Sequence, residues 1–271
     1  MREPKYQLIY SCDIDVPALW YKSSFYRLVK PCIGAIIKHQ SLKRLYSILN
    51  AQAEITRDAA YTFPWIAAEL EKNSLTGCFN LKGGQTHKKF DFYYDPRTRW
   101  MQDIINLLTN SGHEIGFHPS YSTPEKPEDF MRELSIVQKA SQVTILGGRQ
   151  HYLRFLGSST WRMWDNSGLV YDSTVAFNKS SGFKIGTAHE FPVYDILSRK
   201  ELQLRERPLI AMDVTLLGYE GLTSQEAFDN TYKYSQQIRK YGGNMTLLWH
   251  NSNLDSPEKK ELFSQMLKYL A

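Results

Sequence analysis

Apolar and polar positions along this chain follow two alternating periods. Short apolar runs bounded by glycine, proline or aspartate read as buried strands at residues 6–12, 75–81, 115–118, 149–155, 169–175, 191–194, 209–216 and 245–249. Between them, apolar residues at helical spacing predict helices over 63–70, 97–110, 127–142, 159–166, 224–241 and 256–270, several opened by proline (Pro64, Pro96, Pro127). Residues 18–60 break this order. They mix aromatic and basic residues around a helical pattern at 42–49, and read as an insertion after the first strand, serving as a lid or substrate-binding flap. No internal repeat, low-complexity tract or linker divides the chain, so residues 1–271 are expected to form a single domain built as one parallel α/β barrel.

One run stands out. Gly112-His113-Glu114-Ile115-Gly116-Phe117 delivers His118 directly before Pro119. Proline cannot donate to a strand ladder and keeps the preceding residue extended, so the His118 imidazole should stand at the end of a buried strand. That is where barrel enzymes collect their catalytic side chains. The other predicted strands also end in ionisable residues: Asp13 and Asp15, which share a side in extended geometry, then Arg149 and His151, Asp172, Asp213 and His250. Each alone has an ordinary explanation as a cap, an Asx-turn or a hydrogen-bonded structural histidine. Together they would converge on one barrel face, and carboxylate plus imidazole is a ligand set for zinc or a similar divalent metal.

Composition narrows the classes. The chain has 271 residues, 42% apolar and 23% charged, which suffices for a large core. No stretch approaches the roughly 18 apolar residues of a membrane span. A net charge of +5 admits an anionic substrate but falls far short of a nucleic-acid-binding stripe. Three irregularly spaced cysteines and the lack of an apolar leader make cytoplasmic residence the expectation.

Asp13-x-Asp15, Gly112-His113-Glu114-Ile115-Gly116-Phe117-His118, Arg149-Gln150-His151-Tyr152 and Leu247-Leu248-Trp249-His250 occur in the order of the NodB-type polysaccharide deacetylases. The chain resembles that family over nearly its whole length outside residues 18–60, and the stretch ending at His118 is the most specific part of the resemblance. The resemblance implies a distorted (β/α) barrel of about seven parallel strands, and a metal-dependent hydrolase that removes N- or O-acetyl groups from glycans. Carried over by position, Asp13 is the catalytic base and Arg149 the arginine that holds it. Asp15 and His118 are metal ligands, the Tyr152 N–H helps bind the oxyanion, and His250 is the general acid. His113 lies within the resemblance but reads as structural.

The chain departs from the family at Ser122, where a second metal-binding histidine is usual. His151 is the candidate replacement, since strand alternation from Arg149 puts both on one side. A site completed by water, or one that has lost its metal, are the other outcomes. Trp161, Tyr171, Phe177 and Phe183 are candidates for stacking on sugar rings, and Arg162, Lys179 and Lys184 for meeting an anionic group. A cytoplasmic deacetylase would act on a carrier-linked glycan precursor. A barrel hydrolase of small non-sugar amides and a catalytically silent glycan-binding barrel remain the alternatives.

Overall fold

The computed structural model describes residues 5–22 and 42–271. Its frame is a single sheet formed by β1 (Tyr6–Ile14), β2 (Gly77–Leu81), β3 (Glu114–Phe117), β4 (Gly147–Gly148), β5 (Tyr171–Asp172), β6 (Phe191–Asp195), β7 (Lys200–Glu206), β8 (Ala211–Met212) and β9 (Gly243–Leu248). The order across the sheet is β6-β7-β5-β4-β3-β2-β1-β9-β8. All neighbours are parallel except β6 and β7, which form an antiparallel hairpin at one edge. The expected parallel α/β architecture is present, but among the described residues the sheet has nine strands rather than seven, and one is reversed.

The helices are α1 (Leu42–Ala53), α2 (Phe63–Lys72), α3 (Arg99–Asn110), α4 (Pro127–Ser141), α5 (Ser158–Asn166), α6 (Ser224–Tyr241) and α7 (Pro257–Leu270). In the order α6, α7, α2, α3, α4, they pack side by side as a belt. Their starts are specified locally. Thr223 and Glu226 make a capping box for α6, and Ser256 accepts the Lys259 N–H ahead of Pro257 in α7. β1 shows how the layers divide. Tyr10 packs against Phe79 of β2 and Phe263 of α7, at ring centroid separations of 6.1 and 5.4 Å, whereas Ser11 and Asp13 both meet the Arg149 guanidinium. Among the described residues no helix is long and apolar enough to cross a membrane.

Three predicted strands are shorter than expected. Of residues 149–155, none is strand: β4 ends at Gly148, and His151–Leu153 is a 3-10 turn in which Tyr152 and Leu153 take positive φ values of 58° and 52°. Of residues 169–175 only β5 is strand. Of 209–216 only β8 is, because Val214–Tyr219 winds into a π-helical turn capped by the Asp213 carboxylate. The strand β7 had no apolar run to announce it, since its alternation of charged residues with Leu202 and Leu204 belongs to an edge hairpin. Within the expected insertion, α1 and a short turn at Ile55–Arg57 are described, and residues 23–41 lie outside the described residues. Asp58 ties the two ends of that stretch together. Its carboxylate accepts the N–H groups of Leu19, Trp20 and Tyr21 at 2.9, 2.6 and 3.0 Å and that of Ala60 at 3.0 Å.

Candidate metal centre and active site

Asp13, Asp15, His118, Arg149 and His250 all stand at the C-terminal ends of parallel strands, and His151 follows in the turn after β4. Backbone pairing sets these positions: the His118 N–H reaches Leu81 O at 2.8 Å, Arg149 N–H reaches Phe117 O at 3.0 Å, and Trp249 N–H reaches Ser11 O at 3.1 Å. Two glycines allow the strands to come this close. A Cβ at Gly148 would lie 1.9 Å from Phe117 O, and one at Gly116 would lie 2.0 Å from Asn80 Oδ1.

Asp13 is buried, and its Oδ1 accepts from Asn80 Nδ2 at 2.6 Å and Arg149 Nη1 at 3.0 Å. Burial alone would raise its pKa, but the Arg149 guanidinium, with His118 and His250 beyond it, outweighs burial and holds the carboxyl below its ordinary value. Arg149 is itself fixed by Ser173, through its carbonyl at 2.8 Å and its hydroxyl at 2.9 Å.

Three histidines present the same atom to the pocket. His118 Nδ1 donates to the Arg149 carbonyl at 2.6 Å, His151 Nδ1 to Asp91 Oδ1 at 2.7 Å, and His250 Nδ1 to Asp213 Oδ1 at 2.8 Å. A carbonyl or carboxylate can only accept, so each ring carries its hydrogen on Nδ1 and turns Nε2 inward. Asp15 Oδ1 then lies 3.2 Å from His118 Nε2 and 3.1 Å from His151 Nε2, and the three ligand atoms fall within 4.8 Å of one another. Among the described residues, Asp15 Oδ1 and His118 Nε2 have no hydrogen-bond partner. Converging acceptors with no donor between them repel unless a proton or cation joins them. The two carboxylate–imidazole separations lie near the ~3.3 Å edge of a tetrahedron with ~2.0–2.1 Å bonds, so the donor set fits a divalent metal such as zinc. Burial disfavours the charged form of His151, but Asp15 and Asp91 outweigh it and raise its pKa. Burial also acts on Asp15, whose carboxyl is nevertheless held well below the ordinary range by His151 and His118.

On the other side of Asp15, His250 Nε2 lies 3.6 Å from its Oδ2. Burial works against charge on His250, yet the Asp213 carboxylate, with Asp15 and Asp13, lifts its pKa to about 9. Asp213 is held in turn by the His250 N–H and Asn253 Nδ2, both at 2.9 Å. These groups open on a pocket of about 210 Å³ lined also by Leu153, Met212, Val214 and Leu248, with the half-exposed rings of Tyr152 and Tyr219 at its mouth.

The structure therefore brings Asp13, Asp15, His118, Arg149, His151, Tyr152 and His250 together. Ser122 caps a short turn with its N–H on Thr86 Oγ1 and stands outside the ligand cluster. His151 arrives by a turn rather than by strand alternation. Of the four expected sugar-stacking aromatics, Phe177 is exposed beside Asn178 of the pocket lining, and the other three have partners elsewhere. Tyr171 is buried on Glu114, Trp161 donates to Glu206, and Phe183 packs on Tyr234. Among the expected cations, Lys184 donates to the Ala176 carbonyl and Arg162 lies 3.6 Å from Asp195. Residues that sequence reasoning missed are Asn80, Asp91 and Lys82. Lys82 is buried with Nζ 3.9 Å from Asp15 Oδ1; burial lowers its pKa against the pull of Asp15, Asp91 and Glu133. Only the position of Asn80 and Lys82 at or just past the end of a predicted strand could have singled them out.

No protein-family model matches the chain, and no curated protein matches it in sequence. A solved structure from Mycobacterium smegmatis, described as a "putative polysaccharide deacetylase", matches 98% of this chain and 85% of its own at 15% identity, with a TM-score of 0.60. The likeness is one of fold. It extends over the strands that carry the candidate site.

Proposed function

We propose that this chain is a metal-dependent hydrolase that removes an acetyl or other small acyl group from a carbohydrate. The observation that carries the reading is the convergence of Asp15 Oδ1, His118 Nε2 and His151 Nε2, with a cation-held carboxylate on one side and a carboxylate-held imidazole on the other. Asp15, His118 and His151 would hold the metal, which when bound supplies Lewis acidity toward the acyl carbonyl and water. Asp13 takes the proton of the attacking water. Its Oδ1 is occupied by Asn80 and Arg149, which leaves Oδ2 facing the site, 3.9 Å from His118 Nε2. The Tyr152 N–H, presented by a left-handed backbone conformation, meets the oxyanion. His250 donates its proton to the departing amine or alkoxide, and acetate leaves.

The substrate reading rests on the pocket. Leu153, Met212, Val214 and Leu248 offer an apolar wall to an acyl methyl, and Tyr152 and Tyr219 offer ring faces to a sugar. The test is acetate release from N- and O-acetylated sugars by zinc-loaded and chelator-treated protein, with Asp13→Asn as control. Zinc-dependent release that falls roughly 10²-fold or more in the variant is expected. Release unaffected by chelation would favour a metal-free barrel hydrolase. Sugar binding without release would leave a silent glycan-binding barrel.

A further inference from the structure

Asp91 sits in the loop between β2 and α3, and its side chain is fully buried. Both oxygens are used. Oδ1 accepts the Tyr121 N–H at 2.9 Å and His151 Nδ1 at 2.7 Å. Oδ2 accepts the N–H groups of Thr86 at 3.0 Å and His87 at 2.8 Å, with the Thr86 hydroxyl at 3.4 Å. One carboxylate thus joins three pieces of chain: its own loop, the segment after His118, and the turn that carries His151. Tyr121 is the residue immediately before Ser122, so the backbone that bears the missing histidine position is pinned to the group that holds the alternative imidazole.

We propose that Asp91 is the positioning residue that makes His151 usable as a metal ligand in place of the histidine absent at position 122. This rests on the metal reading given above. By accepting the Nδ1 hydrogen, Asp91 fixes the tautomer of His151 and stops rotation of its ring, so the Nε2 lone pair is aimed at the space shared with Asp15 and His118. His118 needs no such carboxylate, because the Arg149 carbonyl does the same for it at 2.6 Å. His151 lies in a turn, and a side chain from another loop supplies the acceptor.

A purely structural role, in which Asp91 only folds its loop, predicts different results. The experiment combines long-range ¹H–¹⁵N spectra of the histidine rings in metal-free protein, at a pH where His151 is neutral, with zinc affinity from competition against a chromophoric chelator. Wild type, Asp91→Ala and Thr86→Ala are compared. Asp91→Ala removes the acceptor, which an asparagine amide oxygen would preserve. Thr86→Ala removes hydroxyl contacts to Asp91, Ser120 and the Ser122 N–H but leaves the Asp91–His151 contact in place. The expected result is an Nδ1–H tautomer for His151 in wild type and Thr86→Ala, loss of that tautomer in Asp91→Ala, and zinc binding weakened roughly 10–100-fold in Asp91→Ala alone. Wild-type affinity in Asp91→Ala would overturn the proposal, as would an equal loss in Thr86→Ala. The wild-type tautomer decides the matter even if Asp91→Ala does not fold, since an Nε2–H ring is incompatible with it. A wild-type protein with the Nδ1–H tautomer and no affinity for zinc would support Asp91's hold on the ring and overturn the metal reading instead.

Discussion

Asp13 and His250 are pushed in opposite directions by their charged neighbours, with Arg149 foremost for one and Asp213 for the other. Arg149 overcomes burial to keep Asp13 ionised, and Asp213 overcomes it to keep His250 protonated. In the proposed mechanism the base, Asp13, works only when ionised and the acid, His250, only when protonated, so kcat/KM should be bell-shaped in pH. The basic limb should fall as pH rises through about 9, where His250 gives up its proton. The acid limb should fall as pH drops through the depressed pKa of Asp13. Arg149→Met removes the cation that depresses it, so the acid limb should move to higher pH and the maximum rate should drop. Rate measurements across pH on both proteins check this; an unmoved acid limb would release Arg149 from that role. At this scale much could be read in the sequence, because Asp13, Asp15, His118 and His250 follow apolar runs that set their places. Asp91 could not. It sits 60 residues from His151 in a loop with no periodicity, and only folding reveals the pair.

Elements were legible where periodicity is long and uniform, as in α3, α4, α6 and α7. The segment 149–155 misled because Tyr152, Leu153 and Phe155 after the Gly147-Gly148 punctuation resemble a bounded strand, while positive φ at Tyr152 and Leu153 leaves no mark in the letters. The π-helical turn after β8 was hidden likewise, as Val214-Thr215-Leu216-Leu217 has the composition of a strand. β4 is only two glycines long, and its value lies in close approach rather than length. Gly148→Ala would drive a Cβ to 1.9 Å from the Phe117 carbonyl, which belongs to backbone and cannot swing aside. It should separate β3 from β4 at a cost of about 1–3 kcal/mol or more, visible as a lower denaturant midpoint. Because Arg149 follows directly, activity should fall with stability. A Gly148→Ala protein of wild-type stability would show that the two strands need no such contact.

The whole molecule uses a parallel sheet to bring strand ends far apart in sequence to one pocket: β1 supplies the carboxylates, β3 the first imidazole, β4 and its turn Arg149 and the second imidazole, and β9 the third, that of His250. The alternation of strands and helices announced that architecture. The antiparallel edge hairpin and the nine-strand count among the described residues were not announced, since edge strands with one wet face carry a weak apolar signal. On the proposed reading, Asp15, His118 and His151 form a metal centre although position 122 is serine. Zinc titration of the metal-free protein tests it most directly, comparing wild type with His151→Ala and Ser122→Ala. Stoichiometric binding is expected in wild type and Ser122→Ala, with a sharp loss of affinity in His151→Ala. Wild-type affinity in His151→Ala, with the fold intact, would contradict it.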